Sequence, residues 1–153
     1  MNIAPASPRA PGPAALLAES AALMQALFPP EDNFNLDPAG LEAAHIHFFA
    51  AGEAGATLGI VALADMGEYG EVKSLFVAEA ARGRGLGARL LAHVEAEARA
   101  RKLPLLRLET GNRLHAALAL YEKAGFRRRP PFGAYPDART SVFMEKPLDR
   151  AAR

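Results

Sequence analysis

Cysteine and tryptophan are both absent from the 153 residues, and neither sign of charge dominates. Without cysteine there are no disulfides, no thiolate metal sites and no cysteine acyl-enzyme. Eighteen Lys and Arg against 17 Asp and Glu leave a formal charge of +1, too little for an electrostatic nucleic-acid binder. Long apolar runs are lacking as well, so no stretch approaches a membrane span. Residues 1–13 are rich in proline and alanine with no continuous apolar core, unlike a signal peptide. These absences predict a cytoplasmic protein with neither nucleic acid nor membrane as a partner. What remains is a chain half hydrophobic, long enough to bury one substantial core.

Residues 1–12 read as a flexible leader, because Pro5, Pro8, Pro11 and Gly12 punctuate them. A single domain is expected over 13–148, followed by a C-terminal tail at 149–153. Leu16, Leu23 and Leu27 mark one face of a proline-started helix over 13–28, which Pro29-Pro30 ends. In the loop that follows, Asp37-Pro38 has the form of an N-cap and first helical residue. Segments 45–51 and 56–64 read as a hairpin across Gly52-Glu53-Ala54-Gly55, and 71–77 as the next strand. Leu86, Leu90 and Val94 recur four apart on a helix over 85–101. A short strand at 104–109 precedes a second helix striped by Leu114, Ala117, Leu118 and Tyr121 and closed by Gly125. Two last strands, 126–128 and 140–146, flank the loop 130–139. The pattern is a three-layer α/β (α+β) domain, its mixed sheet mostly antiparallel with helices on both faces.

The chemistry concentrates in residues 71–88. A strand ending at Val77 is followed by a short loop carrying Arg82, Gly83, Arg84, Gly85 and Gly87, and a helix opens from that loop. Glycines let backbone approach a ligand, and a helix's first N–H groups lack internal partners. Three glycines alternating with arginines exceed what a plain strand-to-helix turn requires. The segment therefore reads as a pyrophosphate site. A P-loop is excluded because no Gly-Lys-Ser/Thr follows the glycines. A dinucleotide fold is a closer rival: Gly83-x-Gly85-x-x-Ala88 fits its permissive fingerprint, and Glu109 ends the next strand. Against it, residues 78–82 separate the strand from the first glycine, and too little chain follows Glu109 for a doubly wound sheet.

The frame Arg82-x-x-Gly85-x-Gly87 after Leu75-Phe76-Val77, together with Leu120-Tyr121-Glu122-Lys123-Ala124-Gly125-Phe126, resembles the GNAT family of N-acetyltransferases. Segment 141–148, Ser141-Val142-Phe143-Met144-Glu145-Lys146-Pro147-Leu148, resembles one bacterial subgroup of acetyltransferases whose acceptors the sequence does not reveal. The resemblance implies acetyl-CoA as co-substrate, lying where strands 71–77 and 105–109 splay apart. Backbone of Leu75, Phe76 and Val77 would pair with the thioester and pantetheine, and amides over 83–88, Ala88 included, would cradle the pyrophosphate. It makes Tyr121 the candidate acid for the departing thiolate; read from periodicity alone, that tyrosine is equally a core aromatic. Relatives often carry asparagine seven residues before this tyrosine, where Leu114 stands here. Asn112 is out of register for that role.

For the proton-accepting group Glu71 ranks first and Glu109 second, with Lys73 and Arg107 as ion-pair partners of either. Glu31 and Asn33, with Phe132 and Tyr135 of the late loop, are expected to shape an acceptor pocket. His45 and His47 share a strand face, but no third ligand accompanies them and no metal is expected. The reading is an N-acetyltransferase acting on a small-molecule or protein amine by direct attack in a ternary complex. A non-catalytic acyl-CoA-binding module on the same fold and a nicotinamide-binding oxidoreductase fragment are the alternatives. Oligomeric state stays open, a homodimer included.

Overall fold

Strand propensity and helix periodicity resolve into one seven-stranded sheet flanked by helices in the computed structural model, which describes residues 1–148. The expected tail, 149–153, lies outside the described residues. The strands are β1 (Asn2–Pro5), β2 (Ile46–Glu53), β3 (Ala56–Asp65), β4 (Gly70–Val77), β5 (Leu105–Gly111), β6 (Arg127–Arg129) and β7 (Ser141–Pro147). The helices are α1 (Pro11–Leu27), α2 (Pro38–Leu41), α3 (Leu86–Ala100) and α4 (His115–Lys123). The sheet runs β1-β2-β3-β4-β5-β7-β6, and β4–β5 is the parallel pair in an otherwise antiparallel array.

Alternation along the strands sorts the side chains into two cores. Val72, Leu106, Leu108 and Met144 face α3 and α4, meeting Leu90, Leu91, Val94 and Leu118. Phe48, Ile60, Ala62 and Ala64 turn the other way, toward Leu16 of α1 and Leu41 of α2. The stripe Leu86, Leu90 and Val94 is wholly buried, as its spacing predicts. Truncating any one of these leucines to alanine should cost about 2–5 kcal/mol, the transfer term plus the cavity left behind. Asp37 caps α2 as expected, its carboxylate accepting from the Gly40 amide at 2.8 Å with Pro38 in the first helical position.

The N-terminus departs from the expected flexible leader. Residues Asn2–Pro5 form β1, pairing antiparallel with β2 from Asn2↔Gly52 to Pro5↔Phe49, and α1 already begins at Pro11. An edge strand tolerates proline at its end because no ladder donor is needed there. Proline and glycine punctuate this segment without preventing it from pairing.

Two irregularities of β4 create the site. Ile60 pairs with Phe76 and Ala62 with Lys73, so Val61 faces both Ser74 and Leu75 across a β-bulge. Ser74 sits at φ 57°, a left-handed conformation uncommon for a residue with a Cβ. On the opposite edge β4 pairs with β5 only at Gly70↔Leu106 and Glu71↔Arg107. Past Glu71 the two strands part, and the edge of β4 from Val72 onward has no β5 partner.

Candidate active site

The parting of β4 and β5 opens a cavity of about 570 Å³ lined along one side by Val72 to Val77. A strand edge with unpaired N–H and C=O groups needs partners, and an extended amide-bearing ligand supplies them as one more strand would.

At one end of the cavity lies the glycine loop. Gly83 and Gly85 have φ of 79° and 76°, and a Cβ at either would point into open space. Left-handed Gly85 is the N-cap of α3 and no side chain caps the helix, whose first bond runs from the Arg89 amide to the Gly85 carbonyl at 3.2 Å. The amides of Leu86, Gly87 and Ala88 therefore precede any intrahelical acceptor and carry the positive end of the helix dipole. Arg82 lines the same end, its Nε donating to the Val77 carbonyl at 3.2 Å and its guanidinium over the Phe76 ring at 5.5 Å. This cradle fits a pyrophosphate. Arg84 does not join it: the side chain reaches away to Glu53 of the β2–β3 hairpin at 3.1 Å. Ala88 contributes an amide only, since its exposed side chain lies outside the cavity.

Midway along, Tyr121 faces the gap from α4. Its position follows from how that helix ends. Gly125, at φ 102°, lets the Phe126 amide bond the Tyr121 carbonyl at 3.0 Å and the Gly125 amide bond that of Glu122 at 3.1 Å. These are the two bonds of a Schellman cap, and the accompanying apolar contact is the Tyr121–Phe126 ring pair, centroids 5.7 Å apart. The ring is both core and cavity lining, so the two readings of this tyrosine describe different parts of one side chain. Burial, reinforced by the charge of Glu109, pushes its hydroxyl well above the usual phenol range and keeps it protonated. Leu114 and Ala117 line the wall beside it.

At the far end the opposite sheet face carries Glu71, Lys73 and Glu109, because residues two apart on a strand share a face. Glu71 is 4% exposed. Its Oε2 accepts from the Tyr135 hydroxyl and from Lys73 Nζ at 3.0 Å, while Lys73 Nζ also lies 2.7 Å from the Tyr135 oxygen. Glu109 is held differently. It accepts one neutral bond, from Ser141 Oγ at 2.7 Å, and desolvation raises its pKa above the usual carboxylate value. Arg107, expected as a partner for these carboxylates, instead pairs with Glu145 at 3.0 Å and stacks over Tyr69 at 4.6 Å.

Of the expected acceptor residues, Tyr135 lines the cavity. Phe132 lies behind it, buried against Tyr69, Tyr135 and Phe143. Glu31 and Asn33 do not reach the cavity; Phe34, Asn35 and Leu36, a few residues on, take their place, with Leu23, Met24 and Leu27 of α1 alongside. The exposure of Leu23, 39%, marks a stripe that extends beyond the core. His47 Nδ1 lies 3.2 Å from the Arg101 guanidinium.

Comparison with known proteins places this geometry in context. Residues 15–126 match the model of the Acetyltransferase (GNAT) family. An IAA acetyltransferase of Azospirillum brasilense is 47% identical over 124 residues, spanning 80% of this chain and 81% of that protein. A provisionally assigned acyl-CoA N-acyltransferase from Klebsiella pneumoniae subsp. pneumoniae superposes with a TM-score of 0.81 at 35% identity, over 97% of each chain. A GNAT family acetyltransferase from Elizabethkingia anophelis with acetyl-CoA bound shares the fold, with a TM-score of 0.68 at 21% identity over 96% of this chain and 97% of that one.

Proposed function

Because the chain belongs to the GNAT acetyltransferase family, we propose that it moves the acetyl group of acetyl-CoA onto a primary amine by direct attack in a ternary complex. The observation that carries this reading is the unpaired edge of β4, with Tyr121 facing the gap from α4 and two carboxylates at its acceptor end. Amides at the start of α3, with Arg82, hold the pyrophosphate. Backbone of Leu75 to Val77 holds the pantetheine and aims the thioester carbonyl at the carboxylate face.

Glu71, the first-ranked base, already accepts from Tyr135 and Lys73 and is built as a fixed anchor. The proton-accepting role falls to Glu109, a desolvated carboxylate with one neutral donor and a pKa moved toward neutrality. Glu109 takes a proton from the acceptor's ammonium, and the freed lone pair attacks the thioester carbonyl carbon. As the new C–N bond forms and the C–S bond breaks, the electron pair leaves on sulfur. Tyr121 meets it as a hydrogen-bond donor. The second amine proton passes through solvent to neutralise the thiolate.

Two measurements test the reading together. Acetyl-CoA should raise the melting temperature in a concentration-dependent way, as any ligand of the native state does, and thiol release should depend on an added amine. Stabilisation by NAD with none by acetyl-CoA would contradict it. Tight acetyl-CoA binding with no release across a broad amine panel would identify a non-catalytic binding module instead.

A further inference from the structure

The acceptor end of the cavity is roofed. Phe34, in the loop after α1, meets Tyr135 of the β6–β7 loop edge-on, ring centroids 5.7 Å apart. Those two loops flank the acceptor end, and their ring contact bridges it. Tyr135 cannot swing aside cheaply, because it is fastened to Glu71 and packed against Phe132 and Phe143. An acceptor must fit beneath this roof, which selects a small molecule.

The walls specify its character. Leu23 and Met24 of α1, with Phe34, present apolar surface to the space beneath. Among the charged groups Glu71 and Lys73 cancel each other at 3.0 Å. Among the described residues Glu109 has no ion-pair partner, and neither does Arg113, whose exposed guanidinium donates to the Leu27 carbonyl at 3.1 Å from the turn between β5 and α4. Both line this cavity. One anion and one cation without ion-pair partners among the described residues, four residues apart across a tight turn and beside an apolar wall, match a zwitterion with an apolar substituent.

We propose that the acceptor is a free α-amino acid with an apolar side chain, its ammonium at Glu109, its carboxylate at Arg113 and its side chain against Leu23, Met24 and Phe34. The inference rests on the acetyltransferase reading and narrows its acceptor. Arg113 is a specificity-determining residue here, since it touches the substrate without touching the reacting atoms.

The test compares L-leucine and L-phenylalanine with their amides, with the corresponding decarboxylated amines and with a leucine-terminated peptide, reading kcat/KM from thiol release. The free amino acids should exceed each of the others by at least about tenfold, the worth of one charge-assisted contact. Arg113→Gln should collapse that preference by about ten- to a hundredfold, and Arg113→Lys should restore part of it. The acetyl-CoA thermal shift of each variant verifies that it is folded. Amides or amines turned over as well as the amino acids, or a preference unmoved by Arg113→Gln, would overturn the proposal while leaving the acetyltransferase reading intact. Equal turnover of the peptide would overturn the roofed, small-molecule site. Absence of release with every amine tested would overturn both.

Discussion

The Tyr135 hydroxyl donates to Oε2 of Glu71, fastening a loop to the central strand across 64 residues of sequence. Lys73 Nζ completes the triangle, touching both partners. The late loop is thereby part of the site's wall. Tyr135→Phe keeps the ring against Phe34, Phe132 and Phe143 and removes only the hydroxyl, with its bonds to Glu71 and Lys73. A hydrogen bond to a charged, buried group contributes about 1.5–3 kcal/mol. Urea denaturation should show a loss of that order, accompanied by a higher KM for the amine. Unchanged stability would mean that the hydroxyl is not what holds the loop.

Glu109 should trade stability for activity. Burial raises its pKa, so in the folded protein its ionisation is opposed. Between the unfolded value, about 4.3, and the raised folded value, the native state holds more protons than the unfolded one. Stability from this group therefore falls as pH rises through that window and is not regained at pH 7. Glu109→Gln should raise the melting temperature at pH 7 and lower turnover by about a hundredfold or more. As a base Glu109 must be ionised, so the wild-type rate should fall on the acid side at a pH above the ordinary carboxylate value, and that limb should vanish in the variant. A variant equally active with an unchanged acid limb would return the role to Glu71.

Tyr121→Phe separates packing from chemistry. The ring contact with Phe126 persists, and only the hydroxyl facing the cavity is lost. Turnover should fall while acetyl-CoA affinity holds, and the fall should shrink with donors whose leaving thiol is more acidic. Equal losses for all donors would assign the hydroxyl a merely structural part.

At the pyrophosphate end Gly85 is the cleaner probe. Its left-handed φ of 76° and the open space at its Cβ position mean that Gly85→Ala carries mainly a backbone cost of about 1–2 kcal/mol. Acetyl-CoA affinity should fall by more than that when measured by titration. Gly87→Val is less informative, since a Cβ there would already press on Leu120 at 3.1 Å. Normal affinity in folded Gly85→Ala would make this glycine a turn residue only.

These contrasts explain what could be read from the residues alone. The glycine loop was legible because positive φ and unpartnered amides are local properties, written within a few residues of Gly85. For Tyr121 the residues alone gave only a helix stripe closed by Gly125, which marks an apolar face and not a chemical role; the role came from the family resemblance. Arg82 and Arg84 looked equivalent, and their division depends on Glu53, on a hairpin distant in sequence. Glu31 and Asn33 fell short by a few residues because an irregular loop has no period to set its register. Leu23 and Leu27 read only as part of one apolar helix face and Met24 was not singled out, since periodicity reports an apolar face and not whether a cavity lies against it. Strand β1 went unread because pairing at a sheet edge depends on its neighbour β2 more than on its own proline-rich composition.

Direct transfer between two bound substrates is the central step of the proposed reaction. A single-turnover experiment tests this most directly: the protein is loaded with acetyl-CoA, held without amine, then mixed with acceptor and followed by mass spectrometry. Direct attack predicts unmodified protein throughout the hold, then N-acetylated product in step with CoA release once amine is added. Acetylated protein before the amine arrives, or bound acetyl-CoA that yields no product with any amine, would contradict it.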